Sequence, residues 1–190
     1  MSSRPSLQVA VVMRRERVPG AMSRWQPWRW VLHDVVGHDL VPHAEHFGTA
    51  PQCLRQTEDE QLWLHPGFTV ELFKDDPEGY YLNLTSPDPC WFVLWRMEEE
   101  PAIADEVMAV PTMVSLSYHD AGRWLDAQEN VDQIKAPTDV VAWMADFAQT
   151  HWVEDTKRRK RPESFKGLQD RFGNPASVST DKVRGGQHGQ

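Results

Sequence analysis

Apolar residues recur at every second position through most of the first 118 residues and at helical spacing after that. Residues 7–16 alternate, with Leu7, Val9, Val11 and Met13 on one side and Gln8, Ala10, Val12 and Arg14 on the other, which is the period of a strand. Val18-Pro19-Gly20 reads as a turn. In residues 24–33, Trp28, Trp30 and Leu32 face one way and Arg29, Val31 and His33 the other; Pro27 cannot donate to a ladder, which puts this strand at an edge or a bulge. Residues 34–60 hold Gly37, Pro42, Gly48 and Pro51 and keep no period, so a long irregular loop is expected. A short strand follows over 61–64, Pro66-Gly67 turns, and residues 68–74 alternate again.

The most apolar stretch, residues 79–97, reads as a hairpin. Tyr80, Leu82 and Leu84 share a face of its first strand, residues 79–84. Residues 85–89 turn, and Trp91, Val93, Trp95 and Met97 share a face of the second strand, residues 90–97. Residues 107–118 make a seventh strand with Val114, Leu116 and Tyr118 inward. Two helices are then expected, over 120–127 and 138–153. The first has capping-box spacing in Ser117-Tyr118-His119-Asp120, with Asp in place of Glu. The second starts at Pro137 or Thr138 and gathers Val140, Trp143, Met144, Phe147, Ala148 and His151 on one face.

The fold class expected from this order is α+β. It is a mainly antiparallel sheet or partly closed barrel of about seven strands followed by two C-terminal helices, an element order shared with the pleckstrin-homology-like barrel. Residues 1–154 form one domain. Residues 155–190 are basic, polar and Gly-rich, and read as a disordered tail.

Charge sharpens this division. The chain of 190 residues has a net charge of −8, yet residues 155–190 hold nine Lys/Arg and four Asp/Glu, a net of +5 that leaves −13 on the rest. A body so acidic repels phosphate, which disfavours nucleic acid as a partner. No apolar run reaches the length of a membrane span, and residues 7–13 are too short and too soon followed by Arg14 and Arg15 for a signal peptide, so no membrane role and a cytoplasmic location are expected. Cys53 and Cys90 then read as free thiols.

Candidate chemistry is sparse. His33, His38, His43 and His46, with Asp34, Asp39, Glu45 and Cys53 nearby, are the residue types that bind Zn²⁺. Their spacings of five, five and three do not make a helical ligand pair, and a solvated His-rich loop is the ordinary reading. Ser115, Ser117 and His119 lie close in sequence without a third orienting group, and Asp88 and Asp126 read as turn and helix residues in place of an acid–base pair. No glycine-rich phosphate loop occurs. Nine Trp, several beside Arg, suggest a stacking platform, but most sit in alternating strands where core is the default.

Four motifs add a family. Arg24-Trp25-x-x-Trp28-x-Trp30, the run 79–84 (Gly-Tyr-Tyr-Leu-Asn-Leu), Pro89-x-Trp91-Phe92-Val93-x-Trp95-Arg96, and Ser117-Tyr118-x-x-Ala121-x-Arg123-Trp124-x-Asp126-x-x-Glu129-x-Val131-Asp132 resemble a proteobacterial family of unknown function. The resemblance runs over residues 7–161. Members of that family commonly sit beside genes for molybdenum-dependent formate dehydrogenases, ferredoxin-like proteins and assembly factors. The resemblance implies a context and carries no activity, cofactor or catalytic residue. The expected protein is a non-catalytic accessory factor, not an enzyme, with no bound cofactor or metal. Its partner would be a protein, for instance a formate dehydrogenase subunit or assembly factor. The alternative is a small metal-binding protein or metal-dependent enzyme using the loop from His33 to His46. Exposed aromatic and Arg residues make interface hot spots. The expected docking surface therefore combines Trp25, Arg29, Trp95 and Arg96 with Lys157, Arg158, Arg159, Lys160 and Arg161.

Overall fold

The computed structural model describes residues 4–37, 48–99 and 107–153. Seven strands and three helices follow in the order β1 (Ser6–Arg17), β2 (Trp28–Gly37), β3 (Gln52–Gln56), β4 (Glu60–Glu71), α1 (Pro77–Leu84), β5 (Cys90–Glu98), β6 (Met108–Ser115), α2 (Tyr118–Asp126), β7 (Asn130–Lys135) and α3 (Thr138–His151), with a short 3-10 turn at Ala21–Arg24. The class is α+β. The strands form two antiparallel sheets, ordered β2-β1-β4-β3 and β6-β5-β7. They do not close into a barrel: among the described residues no ladder joins one sheet to the other.

The alternation in β1 works on both faces. Val9, Val11 and Met13 enter the main core, and Ala10 and Val12 join Leu64 in a second cluster. β1 lies between β2 and β4, so both of its backbone edges are paired, while these two clusters cover its two faces. The main core is completed by Trp91 and Val93 of β5, Tyr80 of α1, and Val140, Met144, Phe147 and Ala148 of α3. Tyr80 meets Phe147 edge to face, with ring centroids 5.8 Å apart. The opposite face of β5 carries Cys90 and Phe92, which α2 covers with Ala121 and Trp124.

Several expectations give way. Residues 79–84 are helical: α1 spans eight residues, just over two turns, so the expected strand hairpin is overturned. Pro77 occupies the first turn with Glu78 beside it, a helix start that the apparent alternation of Tyr80, Leu82 and Leu84 masks. Asn83 then points inward, where its amide donates to the carbonyls of Cys90 and Leu116 at 2.8 Å each and its carbonyl accepts the Cys90 N–H at 3.0 Å. Residues 61–74 do not fold as two strands about a turn. β4 is continuous, and Pro66-Gly67 is a bulge, since Val9 pairs with Phe68 while Val11 pairs with His65. Proline suits the bulge because it has no N–H to pair, and Gly67 supplies a φ of 93°.

The irregular stretch is shorter than expected, because β2 continues to Gly37 and β3 occupies Gln52–Gln56. The helices do not simply follow the sheet either. β7 lies between α2 and α3 and pairs with β5 from Cys90–Lys135 to Trp95–Asn130. Tyr118, expected inward, is exposed at the first position of α2, while Leu116 is buried as expected. Residues 38–47 and the tail 155–190 lie outside the described residues.

Candidate functional site

The β1–β2 hairpin ends in a cluster of aromatic and guanidinium groups. The Val18 N–H donates to the Pro27 carbonyl at 3.0 Å and closes the hairpin, and Gly20, with a φ of 82°, starts the 3-10 turn. That turn ends at Trp25, which is 84% exposed, with Met22 also exposed beside it. Cross-strand pairing sets the rest: Arg17 lies opposite Trp28, Glu16 opposite Arg29, and Arg15 opposite Trp30. Directly opposite and diagonal residues share a face. The guanidinium groups of Arg15 and Arg17 accordingly lie over the Trp28 ring, 4.7 and 5.0 Å from its centroid. On the other face, Arg29 donates from Nε to Glu16 Oε1 at 2.8 Å, and Arg14 Nη2 meets Glu16 Oε2 at 2.8 Å. Arg17 also pairs with Asp59. Arg24 has no ionic partner among the described residues.

The expected docking residues fall into separate places. Trp25 and Arg29 are on the hairpin end and exposed. Trp95, on β5, is half-buried against the main core and donates its indole N–H to Asp132 Oδ2 at 3.1 Å. Arg96 is paired with Glu129, just before β7, and this bond holds the Glu129 carboxyl below its usual range and the Arg96 guanidinium above its own. Arg29 lies on the face of β2 opposite Trp30 and Leu32, so it does not join Trp95 in one patch. Lys157, Arg158, Arg159, Lys160 and Arg161 lie outside the described residues. Asp132 is a residue that sequence reasoning missed. It closes the fourth family motif but carries no signal of a role there, and only the approach of β7 to β2 gives it two donors, Trp95 and the Leu32 N–H.

A second polar cluster joins the starts of α1 and α2. Asp76 Oδ2 accepts from Ser117 Oγ at 2.5 Å, and Asp76 Oδ1 lies 2.7 Å from His119 Nδ1. Ser117 Oγ in turn accepts the His119 and Asp120 N–H groups as the N-cap of α2, as its spacing predicts. Ser115 Oγ donates to Asp120 Oδ2 at 2.6 Å. Both hydroxyls thus serve carboxylates and helix N–H groups, and neither donates to the imidazole. This is the geometry of a capped helix junction, in which Asp76 ties the start of α1 to Ser117 and His119.

The remaining candidates are dispersed. His33 is exposed on β2, whereas His38, His43 and His46 lie outside the described residues. Among the described residues no group of three His, Cys, Asp or Glu is placed to hold a metal ion. Asp88 is paired with Lys135 at 2.8 Å, and Asp126 ends α2. Cys90 is buried, and burial pushes its thiol pKa up, while Cys53 is exposed. His65, on β4, is buried with no partner for Nε2, and burial lowers its pKa to about 4. A cleft of about 570 Å³ lies between Arg4, Phe73, Lys74, Phe147 and His151, but Arg4 is already engaged by Glu71 and by the Phe73 ring.

Residues 8–161 match the model of the family described as "Protein of unknown function (DUF3305)". The chain belongs to that family. The matched stretch takes in all four motifs, which lie between Arg24 and Asp132. No curated protein and no solved structure matches the chain. Among the described residues of this DUF3305 protein, no helix is long and apolar enough to cross a membrane.

Proposed function

We propose that this DUF3305 protein is a non-catalytic accessory protein that docks on another protein through the end of its β1–β2 hairpin. The observation that carries the reading is Trp25, 84% exposed at the turn of a hairpin whose end also carries Arg24, the arginine-stacked Trp28 and, on the other face of β2, the exposed Arg29. Trp and Arg are the residues that most often dominate the energy of protein interfaces, and an indole left this open in a folded domain has no packing role of its own. Trp95 and Arg96 support the adjoining sheet through their bonds to Asp132 and Glu129. The polar clusters elsewhere are spent on capping and pairing, which favours binding over catalysis.

The setting follows from the family resemblance: cytoplasmic assembly, regulation or docking in a molybdenum-dependent formate dehydrogenase system. The test is affinity capture from the native host with the full chain against Trp25→Ala and Arg24→Glu variants. Recovery of a formate dehydrogenase subunit or assembly factor by the parent chain, lost with both variants, supports the reading. Equal recovery by all three would refute the hairpin end as the docking surface. A metal assay on protein purified without a His tag tests the competing role of His33, His38, His43 and His46; stoichiometric metal would move that role ahead.

A further inference from the structure

The outer edge of β2 is not uniform along its length. Its ladder with β1 runs unbroken through the pairs Met13–Leu32, Arg14–Val31, Arg15–Trp30, Glu16–Arg29 and Arg17–Trp28. In an antiparallel ladder the backbone groups of successive residues turn alternately toward the partner strand and away from it. The Leu32 N–H turns away, since it donates to Asp132 Oδ2 at 3.3 Å. By the same parity the N–H and C=O groups of Trp28 and Trp30 also turn away from β1, and among the described residues β2 has no neighbouring strand on that side. Beyond the register break, the Val35 N–H donates to the Asp34 carboxylate at 2.8 Å. Carboxylates therefore occupy the edge at Leu32 and Val35. The half at Trp28 and Trp30 has no partner among the described residues.

Folded proteins commonly blunt an exposed edge with charge, because unpaired backbone groups invite another strand. Here the blunting stops halfway. The open half is bounded by Pro27, which has no N–H, and by the Asp132 carboxylate on Leu32, leaving about four residues, or roughly 13 Å of strand. The hairpin holds five arginines, Arg14, Arg15, Arg17, Arg24 and Arg29, against two carboxylates of its own, Glu16 and Asp34, in a chain whose net charge is −8, and Asp34 stands in the other half of the edge.

We propose that the Trp28–Trp30 edge of β2 takes an extended acidic segment of a partner protein as an added strand. This rests on the docking reading above and specifies its mode. Backbone groups of Trp28 and Trp30 supply the hydrogen bonds, the arginines select carboxylate side chains, and the aromatic rings hold the alternate positions. A nucleic-acid strand would use the Trp and Arg faces by stacking but not the backbone edge.

The test is fluorescence anisotropy on the full chain with a fluorescein-labelled peptide of alternating Glu and Val. The other probes are its Lys–Val counterpart, two Glu–Val peptides N-methylated at amides of opposite parity, and a single-stranded oligo-dT. The Glu–Val peptide is expected to bind and the Lys–Val peptide not to. N-methylation at one parity should weaken binding about tenfold, as loss of one or two hydrogen bonds requires, with the other parity unaffected. Trp28→Pro removes an N–H that no ladder uses, and should weaken binding about tenfold beyond Trp28→Ala, which loses only the ring. If Trp28→Pro does not fold, the N-methylated pair decides alone. Binding that falls with Trp25→Ala and Arg24→Glu but ignores both backbone changes overturns strand addition and leaves the docking reading intact. No binding of the Glu–Val peptide overturns strand addition, with the docking reading still decided by capture. Tighter binding of oligo-dT than of the Glu–Val peptide overturns both.

Discussion

Trp95 donates its indole N–H to Asp132 across a diagonal of the β5–β7 ladder, at 3.1 Å. The same carboxylate oxygen accepts the Leu32 N–H from the edge of the other sheet. One side chain thus stands where a ladder bond would be needed to close the two sheets. Hydrogen bonds to a charged acceptor contribute more than neutral ones, and stranding two half-buried donors adds to the loss. Asp132→Ala is expected to lower stability by about 2–3 kcal/mol, and Asp132→Asn by less, in urea denaturation. Parent-like stability in Asp132→Ala would show that the contact contributes nothing.

Gly79 and Gly122 are both helical and should answer to alanine in opposite ways. A Cβ on Gly79 would overlap Ser117 Oγ and sit 2.8 Å from both Asp76 carboxylate oxygens, whereas a Cβ on Gly122 meets nothing within 4 Å. Alanine favours a helix interior over glycine by about 1 kcal/mol, and forced overlap costs about 1–3 kcal/mol. Gly122→Ala is therefore expected to raise the melting temperature. Gly79→Ala is expected to lower it, because Ser117 and Asp76 are held by the α2 cap and cannot withdraw.

His65 makes stability depend on acid. It is buried and its Nε2 is unpaired, which lowers the folded pKa to about 4 from 6.5. Below about pH 6.5 the unfolded chain takes up a proton that the folded chain refuses until about pH 4. Its contribution is complete at neutral pH and is lost as pH falls across that window, by about 3 kcal/mol at most. His65→Leu should flatten the decline between pH 7 and pH 4.5 in denaturant titrations; an unchanged slope would assign the acid sensitivity elsewhere.

The two thiols should separate cleanly. Cys53 is exposed, and Cys90 is buried with its pKa raised by burial, so its thiolate is both scarce and shielded. A disulfide reagent in native buffer is expected to titrate one thiol promptly and the second only on unfolding. Prompt reaction of both would place Cys90 at the surface.

Much of the strand content was legible because alternation is a local property. Residues 7–16 and 90–97 could hide their apolar sides only as strands, and both are strands. The helices after Ser117 were legible for a similar reason, since a cap and a periodic face are written within a few residues. Residues 79–84 were misread because their apolar spacing satisfies two periods at once. Tyr80 and Leu84 are as well placed at helical spacing as Tyr80 and Leu82 are at strand spacing, and the choice falls to Asn83, whose bonds reach Cys90 and Leu116. The strand β7 was missed because Asn130–Lys135 is short and half polar, and it gains strand geometry only from pairing with β5.

The candidate site divides in the same way. The sequence by itself marked the Trp and Arg residues of the hairpin, because their type and spacing are local facts. It did not separate Trp25, left 84% exposed, from Trp95, half-buried against the main core, since each sits next to an arginine in the chain. It named Asp132 only as the end of a motif and Asp34 only beside the histidines, whereas in the fold they decide which half of the β2 edge stays open. Periodicity fixes which side chains share a face. Which face is covered, and which backbone edge is left without a partner, depends on contacts between residues as far apart in the chain as Leu32 and Asp132, and those exist only once the two sheets have met.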